Sequence, residues 1–232
     1  MAANNLPKHL QDMGLRLLDP LVQPLIRRGV DPNYITTVGF LVTVSAGVAF
    51  FMGHPRIAGA LVLLGGFFDI LDGQVARGSG RTTIFGAFYD ATLDRMSEVV
   101  MFIGILSLYG GWHPDFDYPW MVYVVGLALG GSLMISYTRA RAEALGLDCT
   151  VGMMQRTERV VLIGSSALFF GGSLEGAVLT WVLLVITVLT NFTVFQRIYW
   201  VHRHTSQAAT PERRPHAARP TVTVTRKSGT HR

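Results

Sequence analysis

The chain has a single cysteine, Cys149, in 232 residues. That excludes an intramolecular disulfide and any cysteine-based zinc pattern. Charge is also sparse: Asp, Glu, Lys and Arg make up 15% of the residues, against about 25% in an ordinary soluble domain. The first 34 residues lack an uninterrupted apolar core and hold Lys8, Arg16, Arg27, Arg28 and three aspartates, so no cleavable leader is expected. No internal repeat is evident.

What the chain has instead is apolar length. Half of its residues are hydrophobic and its mean hydropathy is +0.36. Several runs approach the ~20 residues that a helix needs to cross a bilayer. The expected fold is an all-α integral membrane protein with six transmembrane helices, near 35–53, 57–78, 83–109, 118–139, 157–172 and 175–200. Breakers such as Gly53-His-Pro55, Gly78-Ser-Gly80 and Gly171-Gly172 separate them. Before them, residues 1–30 place Leu6, Leu10, Met13, Leu17, Leu21 and Leu25 on one side, with Pro20 and Pro24 interrupting the run. This reads as an amphipathic helix lying in the membrane interface. Residues 31–202 then form the six-helix domain. Residues 203–232 are polar and basic and are expected to be a disordered tail.

The net charge of +5 could suggest nucleic acid, but the basic residues flank the apolar runs. Membrane lipid headgroups are the natural partners, and no nucleic acid is expected. Lys8, Arg16, Arg27, Arg28, Arg77, Arg81, Arg139, Arg141, Arg156, Arg159, Arg197 and the basic tail fall on one side of the six spans, with only Arg56 opposite. Both termini are therefore expected in the cytosol, in a multi-pass cell-membrane protein.

Four aspartates interrupt the second and third apolar runs: Asp69, Asp72, Asp90 and Asp94. A carboxylate at membrane depth costs roughly 3 kcal/mol or more on insertion scales and usually marks a site. Residues three or four apart share a helix face, so Asp69, Asp72, Gly73, Ala76 and Arg77 form one stripe, and Gly86, Asp90 and Asp94 another. The short turn between the runs predicts antiparallel neighbours whose stripes face each other and share one or two hard cations. The small residues Gly73, Ala76 and Gly86 leave room for a phosphate-bearing ligand, and Arg77 offers a fork suited to phosphate. The plainer reading, in which the acids only pair with Arg77, Arg81 and Arg95, leaves too few cations, since Glu98 adds a fifth acid.

These residues carry a resemblance. Asp69-x-x-Asp72-Gly73-x-x-Ala76-Arg77, eight residues, then Gly86-x-x-x-Asp90-x-x-x-Asp94 fills every fixed position of the CDP-alcohol phosphotransferase signature. The likeness extends over roughly residues 25–200. It implies a six-helix membrane enzyme, often a homodimer, that depends on Mg²⁺ or Mn²⁺ and releases CMP from a CDP-linked alcohol. By motif position, Asp69, Asp72 and Asp90 resemble the metal ligands, and Asp94 lies at or beside the metals where the general base is placed. Gly73, Arg77 and Gly86 resemble the CMP-binding positions, with Ala76 beside them. Asp31, Pro32, Asn33 and Thr36 resemble the P-N-x-x-T segment near the nucleotide, although a helix-start turn explains them equally well.

Later segments bear on the acceptor. Ser136-Tyr137-Thr138-Arg139-Ala140-Arg141-Ala142-Glu143-Ala144-Leu145-Gly146 and Val151-Gly152-x-x-x-Arg156-x-Glu158-Arg159 resemble the inositol-phosphate-using branch, the phosphatidylinositol phosphate synthases and their archaeal-lipid counterparts. Arg139 stands where lysine is common and Ala144 where glycine is common. Arg139, Arg141, Arg159 and Arg197 lie at cytosolic span ends and suit an acceptor that carries a phosphate dianion. The leading expectation is transfer of a phosphatidyl group from CDP-diacylglycerol to L-myo-inositol 1-phosphate, with Asp94 helping to deprotonate the attacking hydroxyl. Glycerol 3-phosphate as acceptor is the first alternative. A divalent-cation transporter is a second, against which the acids cluster toward one face. Arg95 and Glu98 are expected to pair behind the site.

Overall fold

The structure, a computed structural model, describes residues 8–206 apart from 112 and 172–175, and only the backbone of residues 8–17, 115 and 206. Residues 1–7 and 207–232, the latter being most of the expected disordered tail, lie outside the described residues. Among the described residues there are seven α-helices and no strand. They are α1 (Lys8–Arg27), α2 (Pro32–Phe51), α3 (Pro55–Gly78), α4 (Ile84–Leu108), α5 (Met121–Ala144), α6 (Arg156–Phe170) and α7 (Ala177–Ser206). A short 3₁₀ turn, Pro114–Phe116, precedes α5.

Helices α2 to α7 fall on the six expected apolar stretches. Four of them, α2, α3, α5 and α7, are long and apolar enough to cross a membrane. The other two depart from that pattern for local reasons. Asp90, Asp94, Arg95 and Glu98 all sit on α4, and α6 has only 15 residues. Two boundaries also differ from expectation. α5 runs on to Ala144, carrying Arg139 and Arg141 on helix, and α7 runs on to Ser206, so the first residues of the expected tail are helical.

α1 continues through Pro20 and Pro24 rather than breaking. Each proline removes one backbone donor. Both are exposed and one turn apart, so the unpaired carbonyls lie on the outer face, away from the packed side. On that packed side Val22, with Leu18, Leu25 and Ile26, meets Leu71 and Val75 of α3 and Ile35 of α2.

The expected pairing of α3 with α4 is corrected by the structure. α2 packs against both of them, while α3 and α4 barely touch. Glycines make this arrangement possible, since helices approach closely where side chains are absent. A Cβ on Gly39 would stand 2.8 Å from Phe68 Cβ on α3, and one on Gly104 would stand 2.9 Å from Gly47 Cα on α2. The acidic stripes of α3 and α4 thus face each other across a gap with α2 along one side. α3 also packs on α6, through Gly59 and Gly164, and α5 packs on α7. The main core lies between the helices and includes Phe50, Phe102, Ile105, Leu108, Met121, Ile163, Leu183 and Ile186. Large apolar side chains also cover the outside, among them Trp181, Val188, Phe192 and Phe195 of α7. A bundle with an apolar exterior as well as an apolar core is built for lipid.

Candidate active site

The gap between α3 and α4 opens into a cleft of about 560 Å³. Its walls follow from how the helices start and stop. Asp31 caps α2, accepting a hydrogen bond from the Asn33 amide at 2.9 Å, and Pro32 occupies the first turn where no donor is needed. Thr83 caps α4 in the same way, accepting from the Gly86 amide at 2.9 Å. The turn before α2 uses Gly29 at φ +68°, and its carbonyl accepts from Arg81 Nη1 at 2.8 Å. That bond ties the α1–α2 turn to the α3–α4 turn at the mouth of the cleft. Thr37 Oγ1 and Tyr89 OH, 3.0 Å apart, join α2 to α4.

The structure gathers every residue of the expected nucleotide set around this cleft. Asp31, Pro32, Asn33 and Thr36 come from the start of α2, Gly73, Ala76 and Arg77 from α3, and Gly86 from α4. Asp72 and Asp90 line it as well. The glycines keep the walls thin. A Cβ on Gly73 would come within 3.2 Å of the Arg77 guanidinium, and one on Gly86 within 3.0 Å of Thr83 Oγ1 and 3.3 Å of Asn33 Oδ1. Arg81, read from sequence only as an anchor and a possible partner of the acids, completes the lining with Thr82, Thr83 and Ala87, which no motif marks. Thr83 was legible as the cap residue before α4.

Asp69 and Asp90 lie within electrostatic reach of each other and of both Asp72 and Asp94. Among the described residues, however, no three acidic, histidine or cysteine side chains converge closely enough to hold an ion. Two of the four aspartates are bridged by Arg156, the first residue of α6. Its Nη1 donates to Asp69 Oδ2 at 2.5 Å and its Nη2 lies 2.9 Å from Asp94 Oδ1. The donor chemistry still fits a hard divalent cation: all the candidate ligands are carboxylate oxygens, and Asp72 Oδ2 is buried without a hydrogen-bond partner. In sequence Arg156 belongs only to a motif and to the basic residues of the cytosolic side. Its contact with the acids depends on where α6 begins relative to α3 and α4, and spacing within one helix does not report that.

The four arginines expected at the acceptor divide into two pairs. Arg139 and Arg141 are exposed, and Arg139 pairs with Glu143 at 2.8 Å along α5. Arg159 and Arg197 are instead interior. Arg159 is 1% exposed, donating to Glu98 Oε1 from Nε at 2.9 Å and Nη2 at 2.6 Å, and to the Met154 carbonyl from Nη1 at 3.1 Å. Arg197 is 4% exposed, donating to the Val151 carbonyl at 2.9 Å and to the Ile135 carbonyl. These two therefore do not stand free at a pocket as expected, because backbone carbonyls and Glu98 already take up their donors. Glu98 binds Arg159 more closely than it does Arg95, the expected partner, whose Nη1 lies 3.6 Å from Glu98 Oε2.

The cleft of this helical bundle combines carboxylates, the Arg77 and Arg81 guanidiniums and glycine-thin walls, a lining whose chemistry suits a phosphorylated ligand. A sequence model of the CDP-alcohol phosphatidyltransferases matches residues 30–193, and the chain belongs to that family of enzymes. It is 39% identical over 194 residues to an archaetidylinositol phosphate synthase of Methanothermobacter thermautotrophicus, covering 77% of this chain and 91% of that one. It is 35% identical over 189 residues to a phosphatidylinositol phosphate synthase of Mycobacteroides abscessus, covering 80% and 84%. Its fold is similar to the crystal structure of Mycobacterium tuberculosis phosphatidylinositol phosphate synthase with CDP-DAG bound. That match has a TM-score of 0.71 and 31% identity and covers 80% of this chain and 94% of that one. Another crystal structure of the same enzyme, also at a TM-score of 0.71, holds manganese and citrate; it is 31% identical and covers 79% of this chain and 88% of that one.

Proposed function

We propose that this protein transfers a phosphatidyl group from CDP-diacylglycerol to L-myo-inositol 1-phosphate, forming phosphatidylinositol phosphate and CMP. The observation that carries this reading is the cleft in which Asp72, Asp90, Arg77 and the two glycines meet the start of α2. Family membership and the names of the relatives support the donor and the acceptor class.

In this reading the chain spans the membrane six times with both termini in the cytosol, and α1 lies in the interface. α4 crosses despite its charged residues because Asp94 and Glu98 pair with Arg156 and Arg159 of α6 and Asp90 lines the cleft. The CDP head of the donor occupies the cleft and its chains lie in the bilayer. Arg77 donates to the diphosphate, and Gly73 and Gly86 let it approach the backbone. Asp69, Asp72, Asp90 and Asp94 would hold Mg²⁺ or Mn²⁺, as one or two ions, which when bound neutralises the diphosphate charge. Asp94 accepts the proton of the acceptor hydroxyl as that oxygen attacks the phosphorus next to the lipid. The bond from that phosphorus to the CMP oxygen breaks, and CMP leaves. Arg139 and Arg141, exposed at the cytosolic end of α5, meet the acceptor phosphate as it arrives. A homodimer belongs to the same proposal.

Glycerol 3-phosphate is the acceptor to test against inositol phosphate. Purified protein in lipid nanodiscs, given CDP-diacylglycerol and each acceptor in turn, should release CMP fastest with inositol 1-phosphate. Faster release with glycerol 3-phosphate would assign the other acceptor. Metal flux into proteoliposomes with no CMP released would assign a transporter.

A further inference from the structure

The start of α2 forms one wall of the cleft, through Asp31, Pro32, Asn33 and Thr36, and the start of α4 forms another, through Gly86, Ala87 and Asp90. Deeper in the bundle the two helices close on each other at Gly47 and Gly104. At the cleft they stand apart, so the position of the α2 wall depends on what spans them there. Asn33 faces α4 at this level: its Oδ1 is 3.3 Å from where a Cβ on Gly86 would stand.

One pair of side chains spans the two walls. Thr37 lies five residues past Pro32 and Tyr89 five past Ile84, so both sit about 7.5 Å along their helices at about 1.5 Å per residue. Their hydroxyl oxygens are 3.0 Å apart. Thr37 Oγ1 also donates to the Asn33 carbonyl at 2.7 Å. A threonine hydroxyl has one proton, so within the pair Tyr89 donates and Thr37 accepts. The result is a directed chain from Tyr89 OH through Thr37 Oγ1 to the Asn33 carbonyl. The Asn33 amide is meanwhile held by Asp31 Oδ1 at 2.9 Å. Asn33 is thus gripped at both its amide and its carbonyl, the first by its own helix cap and the second by a residue tied to α4. Tyr89 is steadied in turn by stacking on Phe85, with ring centroids 5.7 Å apart. Neither Thr37 nor Tyr89 is among the residues that line the cleft.

We infer that Tyr89 and Thr37 are positioning residues for the donor: their hydrogen-bond chain sets Asn33 and the first turn of α2 against Gly86 before the nucleotide arrives. The pair acts on binding through this wall and touches neither the phosphates nor the acceptor. A preformed wall spares the ligand the ordering of that turn, so the effect falls on donor affinity and not on the chemical step. The inference rests on the phosphatidyl-transfer reading for its kinetic test only.

The test uses the full chain in nanodiscs, with CMP release measured against CDP-diacylglycerol concentration. Tyr89→Phe keeps the ring and its stack on Phe85 and removes only the hydroxyl. It should raise the KM for CDP-diacylglycerol about 3- to 10-fold, the scale of one hydrogen bond, with kcat and the KM for inositol 1-phosphate within about twofold. Thr37→Val should raise the donor KM at least as much. Thr37→Ser, which keeps the hydroxyl, should stay within about twofold of wild type. Adding Tyr89→Phe to Thr37→Val should cost no more than about twofold further, because the bond is already gone. An unchanged donor KM, a loss confined to kcat, a loss that tracks the thermal midpoint, or full additivity of the two substitutions would overturn the inference. A second readout needs no reaction. Hydrogen exchange of the amides of residues 36–40, whose bonds close the first turns of α2, should quicken several-fold in Tyr89→Phe and Thr37→Val, while amides in the middle of α3 keep their rates. Unchanged exchange in residues 36–40 counts against the tie. A wild-type protein that releases no CMP with any phosphorylated acceptor sinks the functional reading, and the exchange result still decides whether the pair holds the wall.

Discussion

Replacing Gly86 by alanine separates binding from stability at one position. The added methyl would stand 3.0 Å from Thr83 Oγ1 and 3.3 Å from Asn33 Oδ1, so one of them must give by a few tenths of an ångström. Thr83 cannot retreat freely, because its Oγ1 caps α4 through the 2.9 Å bond from the Gly86 amide. Loosening that cap costs about 1 kcal/mol. Alanine in place of glycine in a helix returns up to about 1 kcal/mol, so the net change in stability should be within ~1 kcal/mol. The cleft has no such compensation, because Gly86 lines it and in the proposed reading the methyl would project toward the nucleotide. Losing about 1–2 kcal/mol of donor binding corresponds to roughly a 5- to 30-fold rise in KM for CDP-diacylglycerol. Initial rates of CMP release against donor concentration measure this, with a thermal midpoint taken on the same sample. KM for the acceptor should not move. An unchanged donor KM in a folded variant, or a change confined to the acceptor KM, would refute the placement of the nucleotide. Gly86→Val should give a larger effect of the same sign.

Asp72→Asn and Asp90→Asn should each abolish CMP release while leaving the thermal midpoint within a few degrees. Full activity in either variant contradicts their proposed role. Removing divalent metal with EDTA should stop the reaction, and Mg²⁺ or Mn²⁺ should restore it. Arg159→Met should destabilise the bundle by about 3–5 kcal/mol by leaving Glu98 buried and unpaired, whereas Glu98→Gln with Arg159→Met should recover most of that loss. Equilibrium unfolding in detergent checks this, and a double variant as unstable as the single one argues against the pair. Cys149 is buried in the α5–α6 connection, and burial pushes its thiol up from its ordinary value, so little thiolate forms at neutral pH. Maleimide should label it only after unfolding.

The parts of this site that lie along single helices were legible in sequence. Asp69, Asp72, Gly73, Ala76 and Arg77 share one face because of their 3–4 spacing, as do Gly86, Asp90 and Asp94, and the structure turns both faces toward one gap. The short turn suggested that α3 and α4 pack together. That inference missed α2, which lies against both, because close approach at Gly39 and Gly104 is a property of pairs of helices. Arg156 and Arg159 show the same limit. They are one turn apart and alike in composition, yet one bridges two site aspartates while the other is sealed against Glu98. Only the depth at which α6 starts separates their roles, and no local pattern encodes it. Arg197 resembles a cytosolic-side anchor in sequence, but its donors go to carbonyls of two other segments. Pro20 and Pro24 read as breaks because a proline usually costs a helix its hydrogen bonds, but on an exposed face that cost is small.

The central claim is that the carboxylates of α3 and α4 jointly hold a divalent ion against the phosphates of a CDP-linked lipid. Phosphorus-coupled electron paramagnetic resonance of Mn²⁺ bound to the full-length protein with CDP-diacylglycerol tests it most directly. The account predicts a coupling to ³¹P in the wild type that is lost in both Asp72→Asn and Asp90→Asn. Bound Mn²⁺ with no ³¹P coupling, or coupling that survives both substitutions, would contradict it.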